Sequence, residues 1–320
     1  MKKLIEIGLM SYNQVEGLFK TICNLECIIS HPRNDFYDIE LFISDNSSTD
    51  ASWDQILLFQ SKYPNKVKIN RHETNTLFFG NFAYLIENMK AQFGLILGCG
   101  DEIILDNFFL FLDELYSVNS QTTREIAMCV LGEAQSSHTD YSKLNLSTSP
   151  IRISEAVSCN VFNLSLLKQV SFESEASKIW PHLQLGLDIL KHNKDLIFCK
   201  ADSQIISLDR PNNGWYTSAS FFDILKLRDM ILFSEDSIQF NLSANYLKLE
   251  LQGKQIASLI YRNRIVSIFS VDRKVLVKIL KTYKSNIPIL IYILAMSFLP
   301  LQIIKSISRT YHLIFLKSKK

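Results

Sequence analysis

The first hundred residues alternate short apolar runs with segments whose apolar positions recur every three or four residues. The runs at 5–10, 40–44, 66–70 and 93–98 are too short for helices and rich in Ile, Leu, Phe and Val, which predicts strands. The intervening stretches 14–29, 52–63 and 80–90 carry the helical period. Strands alternating with helices predict an α/β fold with a mostly parallel central sheet. Further along, 126–131 and 157–162 read as strands, 132–150 as a polar loop long enough to be functional, and the chain beyond 218 as largely helical. In open parallel sheets ligands bind beyond the carboxyl ends of the strands. That directs attention to Ser11-Tyr12-Asn13, Asp45-Asn46-Ser47-Ser48 and Cys99-Gly100-Asp101-Glu102, which follow three of the four runs and fall along one edge.

Composition sharpens the picture in two places. With 47% hydrophobic and 21% charged residues in 320, the chain can bury a large core, and nothing in it resembles a disordered tract. The charge is uneven. From 262 onward there are twelve basic residues against one acid, a local charge of +11 in a chain whose net charge is +2, so the first 261 residues carry −9. No nucleic-acid partner is expected; the basic tail suits an anionic membrane surface. Residues 285–304 carry no charge, but Pro288 and Pro300 leave eleven residues between them, about 16 Å of helix against a hydrocarbon core of roughly 30 Å. A shallow or interfacial seat is therefore expected. Beyond Pro300, Ile303, Ile304, Ile307, Tyr311, Ile314 and Phe315 share a helical face, with Lys305, Arg309 and His312 on another. A helix packed on the protein's own core is the alternative. The six cysteines lack the paired spacing of a zinc knuckle, and no apolar leader follows Met1. Reduced thiols and a cytoplasmic catalytic region follow.

The turn Asp45-Asn46-Ser47-Ser48-Thr49-Asp50 has a plain structural explanation, since Asp, Asn, Ser and Thr cap helices and close turns. Asp101, after Gly98-Cys99-Gly100, is a hard oxygen donor at another strand end. There it suits a divalent cation that neutralises a diphosphate. The four motifs, taken in order, resemble the family 2 glycosyltransferases, whose nucleotide-binding α/β fold is called GT-A. Met10-Ser11-Tyr12-Asn13 stands where that family has a Pro-Thr-Tyr-Asn-like strand end, and Ser44 to Asp50 where it has Val-Asp-Asp-Gly-Ser-Thr-Asp. Asn75 with Gly80-Asn81 resembles its Asn…Gly-Asn segment, and Leu97 to Glu102 its metal-binding region in the Asn-Ser-Gly-Asp variant. Trp180-Pro181-His182-Leu183 is similar to the abequosyltransferase-like branch, which builds O-antigen repeats from deoxysugar nucleotides.

The resemblance implies a GT-A domain over 1–225, with a nucleotide-binding half (1–110) and an acceptor half (111–225). A helical extension (226–284) and a membrane-associated tail (285–320) would follow. It implies that Asp45 binds the nucleobase, that Ser11, Tyr12, Asn13, Ser47, Asn81 and Gly100 line the nucleotide pocket, and that Asp101 faces a Mg or Mn ion and the diphosphate. The first Asp of the metal motif is missing, with Cys99 near its place, as is the Glu-Asp pair that supplies the family's base. His182 is the candidate base, its ordinary pKa lying near neutrality, and a cap or core histidine is the alternative. Arg210, Asn213 and Trp215 form a polar, aromatic loop that either packs as a turn or closes over diphosphate or acceptor. The expected activity is inverting transfer of a hexosyl or deoxyhexosyl group from a nucleotide diphosphate-sugar to a lipid-linked oligosaccharide. It would serve O-antigen or capsule synthesis at the cytoplasmic face of the inner membrane. A non-catalytic nucleotide- or sugar-binding relative is the competing expectation.

Overall fold

A computed structural model describes residues 3–133, 144–147, 157–169 and 196–208, with seven helical positions at 277, 280, 287, 290, 291, 293 and 294. The chain divides into two compact units, Met1–Arg210 with Ile238–Asn241, and Pro211–Ser237 with Leu242–Lys320. The first contains the sheet. Its elements run β1 (Ile5–Ser11), α1 (Val15–Ile29), α2 (Asn34–Tyr37), β2 (Glu40–Asp45), α3 (Ser52–Lys62), β3 (Val67–Arg71), α4 (Leu77–Asn88), β4 (Phe93–Gly98), β5 (Glu102–Ile103) and α5 (Leu105–Gln121). Then come β6 (Glu125–Glu133), β7 (Asn145–Ser147), a 3-10 turn (Val157–Cys159), β8 (Asn160–Asn163), α6 (Leu164–Leu167) and β9 (Leu196–Ser207).

The strand order is β3-β2-β1-β4-β8-β6-β9-β5, with β7 on β9. The four strands read from the apolar runs pair in parallel, as their patterning requires. Every residue of β1 is buried, the signature of a central strand covered on both faces. Its odd positions Ile5, Ile7 and Leu9 enter a core with Leu18, Ile22 and Leu25 of α1, Ile56 and Phe59 of α3, and Phe108, Phe111 and Leu112 of α5. The even positions face α4. A Cβ on Gly8 would come 3.2 Å from Leu85, so glycine there lets α4 approach the sheet. Glu6, almost fully buried, accepts from the backbone N–H of Lys90 at 2.6 Å.

The chain moves outward from β1 through β2 to β3, then returns to place β4 on β1's other side. The direction of winding thus reverses between β1 and β4, and in open α/β sheets ligands bind beyond the carboxyl ends of the strands at such a point. At the opposite edge three lysines face three acids, Lys3, Lys66 and Lys68 pairing with Asp38, Glu40 and Glu6.

The patterning missed some elements. The strand expected over 157–162 opens instead with a 3-10 turn, and the ladder begins only at Asn160. α4 starts three residues before the expected 80, because Asn75 Oδ1 accepts from the Leu77 N–H at 2.7 Å and starts the helix there. Within the expected loop 132–150, β6 continues to Glu133 and β7 forms at Asn145–Ser147. His182, Arg210, Asn213, Trp215 and all but seven positions of the expected helical and membrane-seated segments lie outside the described residues. Among the described residues no helix is long and apolar enough to cross a membrane.

Candidate active site

The end of β2 is built around one enclosed carboxylate. Asp45 is 0% exposed. Its Oδ2 accepts from the Ser48 N–H at 2.9 Å and its Oδ1 from the Ser48 hydroxyl at 2.5 Å, closing an Asx-type turn. Ser48 Oγ in turn accepts from the Asn13 N–H at 3.0 Å, and Asn13 Oδ1 accepts from the Thr49 N–H at 2.7 Å. The strand ends carrying Ser11-Tyr12-Asn13 and Asp45–Asp50 are thereby stitched together, with Asn13 and Ser47 both left-handed at φ 48° and 65°. Asp50 accepts from the Val15 N–H and the Ser52 N–H, so it serves the first turns of both α1 and α3. Burial pushes its pKa up, but the hydrogen bonds from Ser52 and Val15 outweigh this and hold the carboxyl below its ordinary value. Arg71, the last residue of β3, reaches into the same turn. Its guanidinium donates to Ser48 O at 2.8 Å, lies 3.6 Å from Asp45 Oδ2 and covers the Trp53 ring.

Asn46 is a latch between two motifs. Nearly buried, it donates to Asn75 Oδ1 and Leu77 O, and accepts from the Thr76 N–H and hydroxyl, all at 2.8–3.0 Å. Both backbone polar groups of Leu77 are thus held by asparagine side chains, at a left-handed φ of 63° that leaves the leucine 71% exposed. Asn81, on the buried face of α4, donates to Ser44 O at 3.1 Å, and its Oδ1 is buried without a partner.

The end of β4 turns sharply. The Asp101 N–H donates to Gly98 O, and Gly100 sits at φ 94°, a region essentially reserved for glycine. Thr21 on α1 pins the turn from below, its hydroxyl accepting from the Gly100 N–H at 2.8 Å and donating to Asp101 O at 3.0 Å. A side chain on Gly17 would crowd the Gly100 nitrogen at 3.2 Å, so glycine lets α1 press against this turn. Asp101 is 9% exposed, and its Oδ2 accepts from the Ser158 hydroxyl. Glu102 faces Lys20 at 2.9 Å and belongs to a surface ion pair.

Cys99 connects the two halves. Its thiol donates to Met10 O at 3.2 Å, and the buried Ser11 hydroxyl lies beside it. Burial first, with the charges of Asp101 and Asp45 adding to it, pushes the thiol up to about 12. The thiol thus ties the turn after β4 to the end of β1, whose other neighbour, β2, ends at Asp45.

The structure brings Ser11, Tyr12, Asn13, Asp45, Ser47, Asn81, Gly100 and Asp101 to this edge, Tyr12 43% exposed. Asp45, which the resemblance assigns to the nucleobase, also holds its own turn together through Ser48. The sequence assigned no individual role to Asn46, Ser48, Thr21, Arg71 or Ser158. The first two lay inside the acidic motif, and Arg71 ends a strand at the same edge. Thr21 and Ser158 gave no local signal. The residues fit a hard divalent cation only in a spare form. Asp101 is one oxygen ligand, the Cys99 thiol is protonated and turned onto a carbonyl, and no group of three His, Cys, Asp or Glu side chains converges among the described residues. A cation held by Asp101 would take its other ligands from a diphosphate and water, a common arrangement for Mg²⁺.

No protein-family model and no curated protein matches the chain. Among solved structures, the likeness is to nucleotide-sugar enzymes, and the fold is GT-A. The Staphylococcus aureus TarS fragment 1–349, in complex with UDP-GlcNAc, superposes with a TM-score of 0.56 at 13% identity, covering 92% of this chain and 90% of that one. The mannosyltransferase PcManGT from Pyrobaculum calidifontis, with GDP-Man and Mn²⁺, gives 0.55 at 10% identity over 92% and 86%. GalNAc-T7, with UDP, GalNAc and Mn²⁺, gives 0.51 at 11% identity over 89% of this chain and 54% of its own.

Proposed function

We propose that this protein is a glycosyltransferase that uses a nucleotide diphosphate-sugar. One observation carries the reading. The Asp45 turn, the Ser11-Tyr12-Asn13 strand end and the Asp101 turn lie side by side at the carboxyl ends of β2, β1 and β4, at the switch point of a GT-A sheet, the neighbours of which include enzymes bound to UDP-GlcNAc and GDP-Man. In this reading Asp45, Asn46 and Ser48 fix the wall against which the nucleotide rests, with Tyr12 and Ser47 at its surface. Asp101 stands at the diphosphate. A divalent cation would neutralise the leaving diphosphate's charge, held by Asp101 alone among the described carboxylates. His182 takes the proton from the acceptor hydroxyl, and Arg210, Asn213 and Trp215 close over the diphosphate or acceptor; these roles rest on the sequence. The transfer is inverting and moves a hexosyl or deoxyhexosyl group, as in the abequosyltransferase-like branch.

The acceptor is a lipid-linked oligosaccharide of O-antigen or capsule synthesis, met at the cytoplasmic face of the inner membrane. The basic, uncharged-then-amphipathic tail supports this, together with Val277, Leu280, Ile287 and Ile291, apolar helical positions each 41% exposed or more.

The decisive experiment incubates the purified protein with UDP-, CDP-, dTDP- and GDP-sugars and follows nucleotide binding and donor hydrolysis for wild type, Asp45→Ala and Asp101→Ala. Binding of one nucleotide class, weakened in Asp45→Ala, is expected; binding of none overturns the reading. Loss of transfer with retained nucleotide binding in His182→Ala assigns the base. Truncation before Ser285 should release the protein from membranes.

A further inference from the structure

We propose that Ser158 is a positioning residue for Asp101, orienting the carboxylate toward the cation and diphosphate. The inference rests on the reading of Asp101 given above. Four observations carry it.

Ser158 is 1% exposed, and its hydroxyl is fully committed: it accepts from the Gly98 N–H at 3.2 Å and donates to Asp101 Oδ2. A donor on one carboxylate oxygen fixes the side-chain rotamer and the face it presents. Second, the backbone departs from its sequence pattern to put that hydroxyl there. Residues 157–159 carry strand-like patterning, yet they form a 3-10 turn, and the antiparallel ladder between β4 and β8 runs only from Phe93↔Asn163 to Leu95↔Val161. Beyond Leu95 the ladder to β8 is replaced, at Gly98, by the Ser158 side chain. A serine that takes over a ladder bond from the backbone is a recognised alternative to continuing the strand.

Third, a side chain at Gly98 would come 3.3 Å from Asp101 Oδ2, so glycine keeps open the space in which Ser158 and Asp101 meet. Fourth, the backbone of Asp101 is held independently by Thr21, whose hydroxyl accepts from Gly100 and donates to Asp101 O. Thr21 fixes where the residue is; Ser158 fixes which way its carboxylate turns. With Asp101 the single carboxylate ligand among the described residues, its orientation bears more directly on the ion than it would in a site where several described side chains share it.

The test measures Mn²⁺ binding from the loss of the free-ion EPR signal, with Mn²⁺ alone and with UDP or GDP present, in the full-length protein. Wild type should bind Mn²⁺ in the presence of one nucleotide and Asp101→Ala should not. Ser158→Ala should weaken Mn²⁺ by about 10-fold or more, the range found when outer-shell partners of metal ligands are removed, while nucleotide binding without metal stays within about 2-fold of wild type. Ser158→Thr, which keeps the hydroxyl, should recover most of the affinity. Ser158→Cys keeps the volume with a poorer donor. It should fall between Thr and Ala, and serves if the alanine variant folds poorly. A purely structural serine would lower the melting temperature without moving Mn²⁺ affinity. Unchanged Mn²⁺ affinity in both Ser158→Ala and Ser158→Cys, with Asp101→Ala impaired, refutes the role of Ser158 alone. Unchanged affinity in Asp101→Ala, or no Mn²⁺ binding by wild type, overturns the reading of Asp101 and this inference with it.

Discussion

Replacing Asp45 by asparagine separates bracing the turn from reading a ligand. The two side chains have nearly the same shape, so packing is preserved and only charge and donor pattern change. Asp45 accepts two hydrogen bonds from Ser48, both charge-assisted, and lies 3.6 Å from the Arg71 guanidinium. An asparagine oriented with its oxygen toward the Ser48 N–H keeps one bond in neutral form. Its amide then faces Ser48 Oγ, which already accepts from Asn13 and must send its own hydrogen elsewhere. Hydrogen bonds to charged groups contribute about 1.5–3 kcal/mol and neutral ones about 0.5–1.5, so weakening one and rearranging the other costs about 2 kcal/mol. The Arg71 side chain is 42% exposed, so its loss adds at most about 1 kcal/mol after solvent screening. For a unit of this size, 2–3 kcal/mol corresponds to a fall of roughly 5–10 °C in Tm. Thermal unfolding of both proteins, with and without the nucleotide identified by the donor panel, is the assay. A Tm within about 1 °C of wild type would refute the bracing role. If nucleotide affinity fell while Tm held, Asp45 would act directly on the base, as the family resemblance implies.

Four further outcomes follow from the same structure. Asn46→Ala removes four hydrogen bonds from a nearly buried side chain and should cost about 2–4 kcal/mol. Hydrogen exchange should accelerate at Thr76 N–H and at the first turn of α4 before it does elsewhere. Gly100→Ala forces a side chain onto φ 94° and should cost about 1–3 kcal/mol. It should also weaken Mn²⁺ binding, because the turn that carries Asp101 shifts. Burial raises the pKa values of Cys99, Cys129 and Tyr37, with Cys99 at about 12. The folded state therefore keeps protons that the unfolded chain releases above about pH 9, so stability is full below that pH and declines as pH rises toward 12. Unfolding at pH 8 and 10.5 measures the decline. Iodoacetamide with mass spectrometry should label the exposed Cys23 and Cys27 well before Cys99, Cys129, Cys159 and Cys199.

Much of the fold was legible because its decisive signals are local. The apolar runs of β1, β2 and β4 are too short and too uniformly hydrophobic for anything but strands buried on both faces, and the spacing Leu18, Ile22, Leu25, Ile29 fits only a helix packed on one side. The acidic turn and the glycines beside Asp101 were legible for the same reason. Turn chemistry depends on side chains reaching backbone within a few residues, as Ser48 N–H reaches Asp45.

What the local patterns left out was decided by contacts between distant segments. Ser158 breaks the strand pattern because the end of β4, sixty residues earlier, offers its side chain Gly98 N–H and a carboxylate. Thr21 faces Asp101 from eighty residues away, a partnership that no helical period on α1 announces. Asp45, which the family resemblance assigns to the nucleobase, is also enclosed, because Asn13, Ser48 and Arg71 converge on its turn. Patterning and turn chemistry put the acids Asp45 and Asp101 on the carboxyl edge; the tertiary structure decided which way each carboxylate turns and which neighbours hold it. Orientation is the property that long-range hydrogen bonds confer and one-dimensional patterns do not carry.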